Sequence, residues 1–263
     1  MPRLAANLTY LFTETALLDR FEAAAKAGFR GVEHQYPYAH DKQAMAERLR
    51  EHDLEMVLIN LPPGDWQAGE AGIACDPTRR QEFRDGVEEG IDCARTLGCR
   101  QLNCLAGVAP PGVASSKLFD TFVENLGHAA QRLACADLHL LIEPINTRDR
   151  PGFYLSRATQ AMDVIDAVGA DNLFLQFDVY HTQVMQGDIV KTFAAHRERI
   201  RHVQIADNPG RHEPGTGELN FPFILAALDE MAYEGWVSCE FAPSTTTEES
   251  LHWARGYLAQ GRQ

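Results

Sequence analysis

Eight short apolar segments alternate with amphipathic segments along the whole chain, and this alternation constrains the fold more than any other feature. Segments such as those at 139–143 and 173–178 have apolar residues at nearly consecutive positions, as is typical of strands buried on both faces of a parallel sheet. The predicted strands are Leu4–Leu8, Gly31–His34, Glu55–Asn60, Arg100–Cys104, His139–Glu143, Leu173–Asp178, His202–Ala206 and Trp236–Phe241. The predicted helices are Thr15–Ala27, Lys42–Glu51, Pro77–Leu97, Ser115–Cys135, Ser156–Val168, Ile189–His196, Pro222–Met231 and a last one that begins near Thr247.

Eight strands that are each followed by a helix predict an α/β fold of the (β/α)8 TIM-barrel type. A chain of 263 residues has the length of one such barrel, and no linker rich in proline, glycine and serine interrupts the pattern. We therefore predict that residues 1–263 form a single TIM-barrel domain. An open doubly wound sheet is the alternative, but that fold usually carries a glycine-rich phosphate turn. The nearest match, Gly215-Thr216-Gly217, lacks the third glycine.

Charge and cysteine content exclude several classes of protein. Lys and Arg number 24 and Asp and Glu number 37, so the net charge of −13 repels nucleic-acid phosphates. No apolar run approaches the roughly 18 residues of a membrane span, and the first residues do not form a signal peptide. Six cysteines without a C-x-x-C pair are typical of reduced thiols in the cytoplasm. We therefore expect a small-molecule ligand, no nucleic acid and no membrane, and we leave a homo-oligomer open.

Polar side chains stand at or near the carboxyl ends of the last four predicted strands. They are Glu143, Asp178, Gln204 and Glu240. The carboxyl ends of the strands form the active-site face of a TIM barrel, so we expect these side chains to converge. A single glutamate at a strand end is commonly a surface or capping residue, but buried polar residues from four consecutive strands each need a partner. Either the pKa values of the carboxyl groups rise or a divalent metal lies among them. Oxygen ligands favour Mg or Mn.

The loops at the same face supply candidate substrate contacts. We predict that substrate is contacted by His181, Arg211, Asn60 and Glu70. His181 follows Asp178 by three residues, and its alternative role is that of a helix cap or a packed histidine. Asn60, like Asn103, lies at a strand end and can donate to a substrate or cap a turn. Glu70 lies with Trp66 in the long loop 61–76, where both are lid candidates.

Positive charge accompanies this acidic face. The cationic side chains in the loops after the fifth and seventh strands are Arg148, Arg150, Arg211 and His212. Loop arginines are commonly just solvated, but at the mouth of an acidic site they provide what an anionic substrate needs. His202 alternates with Gln204 along the seventh strand, and we expect it to point into the barrel core.

Six motifs at these positions resemble the hydroxypyruvate isomerase family, within the wider group of xylose-isomerase-like barrels. The motifs are ANLTYLF at 6–12, NLPPGDW at 60–66, GIAC at 72–75, LIEPIN at 141–146, QFDVYH at 176–181 and QIADNPGRHEPGTGE at 204–218. The resemblance covers essentially the whole chain. It implies that Glu143, Asp178, Gln204 and Glu240 are metal ligands and that Glu143 and Glu240 are also the catalytic proton-transfer pair. The broader sugar epimerases of the group generally have histidine at the position of Gln204, which favours the isomerase branch.

The resemblance implies interconversion of hydroxypyruvate and tartronate semialdehyde, with a divalent metal ion, Mg or Mn, and no organic cofactor. Arg211 would pair with the carboxylate of this small anionic hydroxy-keto acid, and His181 would orient an oxygen. Two departures bear on the substrate. An apolar pair usually follows the second-strand glutamate, whereas His34 and Gln35 stand here, and Ala71 stands where arginine is frequent. Relatives that isomerise 2-oxo-tetronate are therefore an open alternative.

Two other classes of function are compatible with a barrel. A metal-dependent endonuclease of the endonuclease IV type needs more histidine ligands and a basic groove, whereas the ten histidines here are scattered and the chain is acidic. A non-catalytic protein that binds a sugar acid has no need of two glutamates around one ligand.

Overall fold

Eight parallel strands close into a barrel in the computed structural model, which describes residues 1–258 of the protein. The strands are β1 Arg3–Asn7, β2 Gly31–His34, β3 Glu55–Asn60, β4 Gln101–Cys104, β5 His139–Ile142, β6 Leu173–Asp178, β7 Ile200–Ile205 and β8 Trp236–Cys239. Each strand pairs with its neighbours in chain order, and β1 also pairs with β8. The predicted TIM barrel is confirmed, and the open sheet is wrong because β1 and β8 leave no free edge.

Ten helices occur in the described part of the chain. They are α1 Leu17–Ala27, α2 Lys42–Glu51, α3 Arg80–Leu97, α4 Ser115–Ala134, α5 Ala158–Val168, α6 Val179–Met185, α7 Ile189–His196, α8 Phe221–Glu230, α9 Thr247–Ser250 and α10 Arg255–Leu258. The predicted element centres are confirmed, and their ends differ by up to three residues. The predicted last helix is instead two short helices joined by a 3-10 turn at His252–Ala254.

Helix α6 was not predicted, because the sequence segment after β6 is short. Asp178 ends β6 and also caps α6, since its side chain accepts a hydrogen bond from the backbone N–H of His181. A strand that passes straight into a helix leaves no loop between them. The cap therefore fixes Asp178 and His181 relative to each other at the carboxyl face of the barrel.

The apolar core lies in two places. The larger part lies between the outer faces of the strands and the surrounding helices. A small second cluster consists of Ala5, Val57, Leu58, Leu141 and Trp236. Towards the carboxyl ends of the strands the buried side chains become polar, so the burial of apolar surface stabilises the barrel below a polar upper layer.

The loop after β3 is held against the end of β4 by a glycine contact. Gly72 has a φ of 100°, and a Cβ at this position would lie 2.2 Å from the carbonyl oxygen of Leu105. Only glycine allows so close an approach of two backbones in this conformation. The contact places one wall of the carboxyl face. No helix within residues 1–258 combines the length and the apolar character that crossing a membrane requires.

Candidate active site

The four polar residues predicted at the strand ends are all buried at the carboxyl face of the barrel. Glu143 follows β5, Asp178 ends β6, Gln204 lies in β7 and Glu240 follows β8. Asp178 and Gln204 are register partners on adjacent strands. The predicted convergence is therefore present in the structure, although the four side chains divide into two groups with different surroundings.

The first group, on β5 and β6, is Glu143, Asp178 and His181. One ligand atom of each lies within 4.8 Å of the others, and all three side chains are buried. Glu143 accepts a hydrogen bond from Asn103 Nδ2 at 2.8 Å. His181 Nε2 lies 3.6 Å from Asp178 Oδ2 and 3.8 Å from Glu143 Oε1. Two carboxylates with few donors form a group that a divalent cation fits.

The hydrogen bonds of His181 identify the ring nitrogen that carries the proton. The backbone N–H of Asn146 points at Nδ1 at 3.4 Å, and Asn146 Nδ2 lies 2.7 Å from the same atom. A backbone N–H only donates, so Nδ1 is the acceptor and the ring proton is on Nε2. Burial and the charge of Arg211 lower the pKa of His181, which keeps the ring neutral. His181 is therefore a hydrogen-bond donor in the group.

The second group surrounds Glu240 with donors. Glu240 Oε1 accepts from Gln35 Nε2 at 2.7 Å, from Asn7 Nδ2 at 3.1 Å and from Gln204 Nε2 at 3.1 Å. Glu240 Oε2 lies 2.5 Å from Arg211 Nη2, which is 3.9 Å from Asp178 Oδ2. Arg211 therefore connects the second group to the first.

Gln204 presents its amide nitrogen, and not its carbonyl oxygen, to Glu240. Its oxygen accepts from Gln176 Nε2 at 2.6 Å, on the side away from Glu240. A metal ion takes an amide group by its oxygen. The amide would have to turn over before its oxygen could bind a metal ion, so the role of Gln204 as a ligand stays a prediction.

Burial gives the carboxyl groups unusual proton affinities. It raises the pKa of Glu240 to about 8 and that of Asp178 to about 6, although Arg211 opposes both shifts. Burial and then the charges of Glu240 and Asp178 raise the pKa of Glu143 well above its usual range. Burial alone would lower the pKa of Arg211, but the surrounding acidic groups raise it. The carboxyl groups act electrostatically on one another, as expected of side chains around one small volume.

The predicted loop residues lie in different places. Arg211 is in the site, and its guanidinium lies over the rings of Tyr10 and Tyr180. Asn60 is buried at the end of β3. Glu70 bonds within its own loop, where it accepts from the backbone N–H of Asp65 and pairs with Arg79. The structure therefore gives Glu70 a role in shaping the loop, and its contact with substrate stays a prediction.

The cationic rim is only partly aimed at the site. Arg148 donates to Tyr180 and Asn208, whereas Arg150 donates to the carbonyl of Gly69 in the loop after β3. His212 lies 2.7 Å from the carbonyl oxygen of Ala242. Arg211 is thus the member of the rim that touches the acidic groups.

Two loops border the opening on opposite sides. In the loop after β3, the ring of Trp66 packs on Tyr36 at 4.5 Å and remains 44% exposed. In the loop after β7, the buried Asp207 accepts four backbone N–H groups. The donors are Asn208, Gly215, Gly217 and Leu219. Arg211 stands in this second loop with a φ of 57°, a conformation that the bonds around Asp207 hold in place.

Sequence reasoning missed several polar residues of the site. Asn7, Glu33 and Tyr10 were not predicted, Gln35 was considered only as a departure that bears on the substrate, and Asn103 was predicted only as a substrate donor or a turn cap. The available signal was a polar residue in an otherwise buried strand: Asn7 in β1, Glu33 in β2 and Asn103 in β4. His202 is buried in the barrel as predicted, and it bonds to Glu33.

The closed parallel barrel with a carboxylate site at its carboxyl face defines the class of TIM-barrel enzymes. A family model for the xylose isomerase-like TIM barrel matches residues 21–257, and the chain belongs to this family. It is 49% identical to hydroxypyruvate isomerase of Escherichia coli over 98% of this chain and 100% of that protein. It is 41% identical to 2-oxo-tetronate isomerase of Cupriavidus necator over 99% of this chain and 100% of that protein.

A solved structure is similar over almost the whole chain. It comes from Brucella melitensis and is described as an AP endonuclease of family 2, with a TM-score of 0.95 and 42% identity over 98% of this chain and 99% of that one. The expected fold and family membership are confirmed by these comparisons.

Proposed function

We propose that the protein is an isomerase that interconverts hydroxypyruvate and tartronate semialdehyde. The relatives named hydroxypyruvate isomerase and 2-oxo-tetronate isomerase support this class of reaction, because both align over nearly the full length of the chain. The observation that carries the proposal is the pair Glu143 and Glu240. They are buried, they come from opposite sides of the carboxyl face, and the charge of Glu240 raises the pKa of Glu143.

The reaction moves one proton between neighbouring carbons. A carboxylate removes a proton from C3 of hydroxypyruvate, which gives an enediolate, and a carboxylic acid delivers a proton to C2. The hydroxyl proton at O3 passes to O2, so the product is an isomer and no redox partner is needed. Two glutamates with raised proton affinity fit the two roles, since a base with a pKa near neutral both takes and returns a proton.

Glu143 is suited to the first proton transfer. One amide donor, Asn103, holds it, and its Oε1 has only the longer contact with His181. Glu240 has four donors around its two oxygens, which fix its direction, and burial raises its pKa to about 8, so that it can carry the proton for C2. We assign Glu143 as the group that removes the proton from C3 and Glu240 as the group that serves C2.

The residues present fit a divalent metal ion. Glu143, Asp178 and Glu240 would hold it through carboxylate oxygens, with the Gln204 carbonyl as the predicted fourth ligand, and Mg or Mn suits such oxygen donors. When bound, such an ion supplies positive charge that lowers the pKa of the carbon-bound proton. His181 would donate its Nε2 proton to a substrate oxygen.

Arg211 would bind the carboxylate of the substrate. Its guanidinium lies between Glu240, Tyr10 and Tyr180 and carries the positive charge closest to the proposed proton-transfer groups. A planar guanidinium matches a carboxylate in geometry and charge. Asp207 fixes the loop that carries Arg211, so the guanidinium is already in position when the substrate binds.

A 2-oxo-tetronate is the second candidate substrate, because the relative from Cupriavidus necator is 41% identical. It has the same keto-acid head and one more carbon. The name of the Brucella melitensis structure raises nucleic acid as a ligand, but the charge of −13 opposes a phosphate backbone. A non-catalytic binding role does not explain the two buried glutamates.

Turnover in D2O tests the proposal. We expect hydroxypyruvate to take up deuterium at carbon and to interconvert with tartronate semialdehyde, and Glu143→Gln prepared in parallel controls for a contaminating isomerase. Assays on 2-oxo-tetronate and a neutral ketopentose identify the preferred substrate. Wild-type protein with divalent ion that neither turns over hydroxypyruvate nor exchanges its carbon-bound protons would overturn the proposal.

A further inference from the structure

Gln35 follows β2 directly and brings an amide group to Glu240. Its Nε2 donates to Glu240 Oε1 at 2.7 Å, the shortest of the three side-chain amide bonds that this oxygen accepts within residues 1–258. Its backbone is held on both sides. The N–H of Gln35 donates to Thr9 Oγ1 at 3.0 Å, and its carbonyl oxygen accepts from the backbone N–H of Asn60 at 3.0 Å. The side chain therefore reaches Glu240 from a fixed point at the carboxyl end of the barrel.

The other two amides at this oxygen are shared with a second carboxylate. Asn7 Nδ2 lies 2.7 Å from Glu33 Oε1 and 3.1 Å from Glu240 Oε1. Gln204 Nε2 has the same preference, at 2.8 Å from Glu33 Oε1 and 3.1 Å from Glu240 Oε1. In the described part of the chain, the NH2 group of Gln35 bonds to Glu240 alone.

The bond from Gln35 is compatible with Gln204 as a metal ligand. In that role Gln204 would turn its carbonyl oxygen to the ion, and its Nε2 would leave Glu240. Gln35 is not among the predicted ligands, so its amide stays in place, and Glu240 Oε1 keeps its shortest bond. Glu240 Oε2, which lies on the side of Arg211, is then the oxygen that faces the reacting groups.

We propose that Gln35 is a positioning residue for Glu240, whose amide holds Oε1 and thereby directs Oε2 towards the substrate. This inference rests on the proposed function, in which Glu143 removes the proton from C3 and Glu240 serves C2. Gln35 acts on the second of these steps. The first belongs to Glu143, which bonds to Asn103 instead. Position 35, where the chain departs from the apolar pair usual in the family, thereby has a role in the reaction.

Gln35→Met tests this role, because methionine has a similar length and no NH2 group. In D2O, exchange at C3 of hydroxypyruvate requires only that Glu143 takes a proton and returns a deuteron. Conversion to tartronate semialdehyde also requires delivery to C2. We expect conversion to fall about 10- to 100-fold, the usual cost of losing an outer partner of a metal-ligating side chain. Exchange at C3 should persist, so its ratio to conversion should rise, whereas a packing role lowers both rates alike.

Gln160→Met is the matched control. Gln160 lies on α5 outside the site, is likewise partly buried, and donates from Nε2 to the carbonyl oxygen of Tyr154 at 2.9 Å. The change removes the same chemical group from a comparable hydrogen bond. Both rates and their ratio should therefore equal the wild-type values.

Side-chain amide NMR gives a readout that needs neither substrate nor turnover. The ¹⁵N–¹H signals of the Gln35 NH2, assigned by their loss in Gln35→Met, should shift and exchange faster with solvent in Glu240→Ala, which lacks the acceptor. The Gln160 signals, assigned in the same way, should stay unchanged. In wild-type protein the Gln35 protons should remain protected from exchange after Mg²⁺ is added.

The outcomes distinguish this inference from the proposed function. Wild-type protein inactive on hydroxypyruvate contradicts the proposed function, while the Gln35 signals still decide whether this amide holds Glu240. Active wild type with an unchanged ratio in Gln35→Met overturns the positioning role, and so do Gln35 signals that do not respond to Glu240→Ala. Should Glu240→Ala not fold, the wild-type spectrum decides. Gln35 protons that exchange as slowly as those of Gln160 support the bond, and protons that exchange as fast as those of the exposed Gln43 refute it.

Discussion

The two sides of the site provide opposite surroundings for the same chemical group. On the β5–β6 side, Glu143 and Asp178 lie close to each other, and a single side-chain amide, from Asn103, bonds to Glu143. On the β8 side, four side chains donate to Glu240. A donor-poor pair of carboxylates attracts a cation, whereas the donors around Glu240 fix its direction and partly offset the burial that raises its pKa to about 8. The difference teaches that sequence position alone does not define the role of a glutamate.

The largest expected effect comes from removing either base. Glu143→Gln and Glu240→Gln keep size and one ligating oxygen but remove basicity, so each should lower kcat by about 10²- to 10⁴-fold. Residues that act in one proton relay fail together, so the double variant should lose far less than the product of the two losses. Steady-state rates on hydroxypyruvate measure both effects.

The surface Glu88→Gln on α3 is the matched control and should leave kcat unchanged. Near-full activity of Glu240→Gln would break the comparison, because the donor-rich side would then have no part in proton transfer.

Arg211→Ala tests the link between the two sides. It removes the charge that pairs with Glu240 and lies near Asp178. Hydrogen bonds to charged groups contribute roughly 1.5–3 kcal/mol, so kcat/KM for hydroxypyruvate should fall about 10- to 100-fold. A neutral ketose should lose less, since it has no carboxylate for Arg211 to bind.

Arg197→Ala, a half-exposed arginine outside the site, should change neither value. Equal losses for the acid and the neutral sugar would contradict the assignment of Arg211 to the substrate carboxylate.

Removal of divalent metal should act first on the β5–β6 side. An ion that binds only the folded state at 100 times its Kd adds about 2.7 kcal/mol, so exhaustive chelation should lower Tm by about 5–10 °C and reduce activity. Asp178→Asn should weaken the affinity for metal, and excess ion should restore part of its activity. Scanning calorimetry and metal titration measure these changes, and a Tm that chelation leaves unaltered would argue against a bound ion.

A smaller effect concerns the pH dependence of stability in the metal-free protein. The pKa values of Glu240, about 8, and Asp178, about 6, exceed the value near 4 expected for unfolded chains. The folded state then holds more protons than the unfolded state, so the free energy of unfolding falls as pH rises from about 5 to 8. We expect Tm to fall by at least about 2–4 °C, the shift that corresponds to 1 kcal/mol.

Glu240→Gln removes one of these groups and should flatten the decline in Tm. A Tm that rises across this pH range would show that the donors around Glu240 outweigh its burial.

The sequence was sufficient for the barrel because its strands are apolar on both faces and its helices on one. It also predicted which side chains meet at the carboxyl face, since strand ends in a parallel barrel share one height. It was not sufficient for the contacts made inside the barrel. Glu33 and Gln204 are 171 positions apart and meet only when the barrel closes. Nor does a residue type show which end of an amide such as Gln204 faces the site.

The anchored loop after β7 also bears on the route by which a substrate enters and leaves the barrel. Four backbone N–H groups of this loop bond to the buried Asp207, and a movement of the loop away from the barrel would break these bonds together. In the loop after β3, the segment around Trp66 rests on contacts of that ring with Tyr36 and Arg150. We therefore expect a small acid to enter and leave the barrel beside Trp66, while the loop that carries Arg211 stays in place.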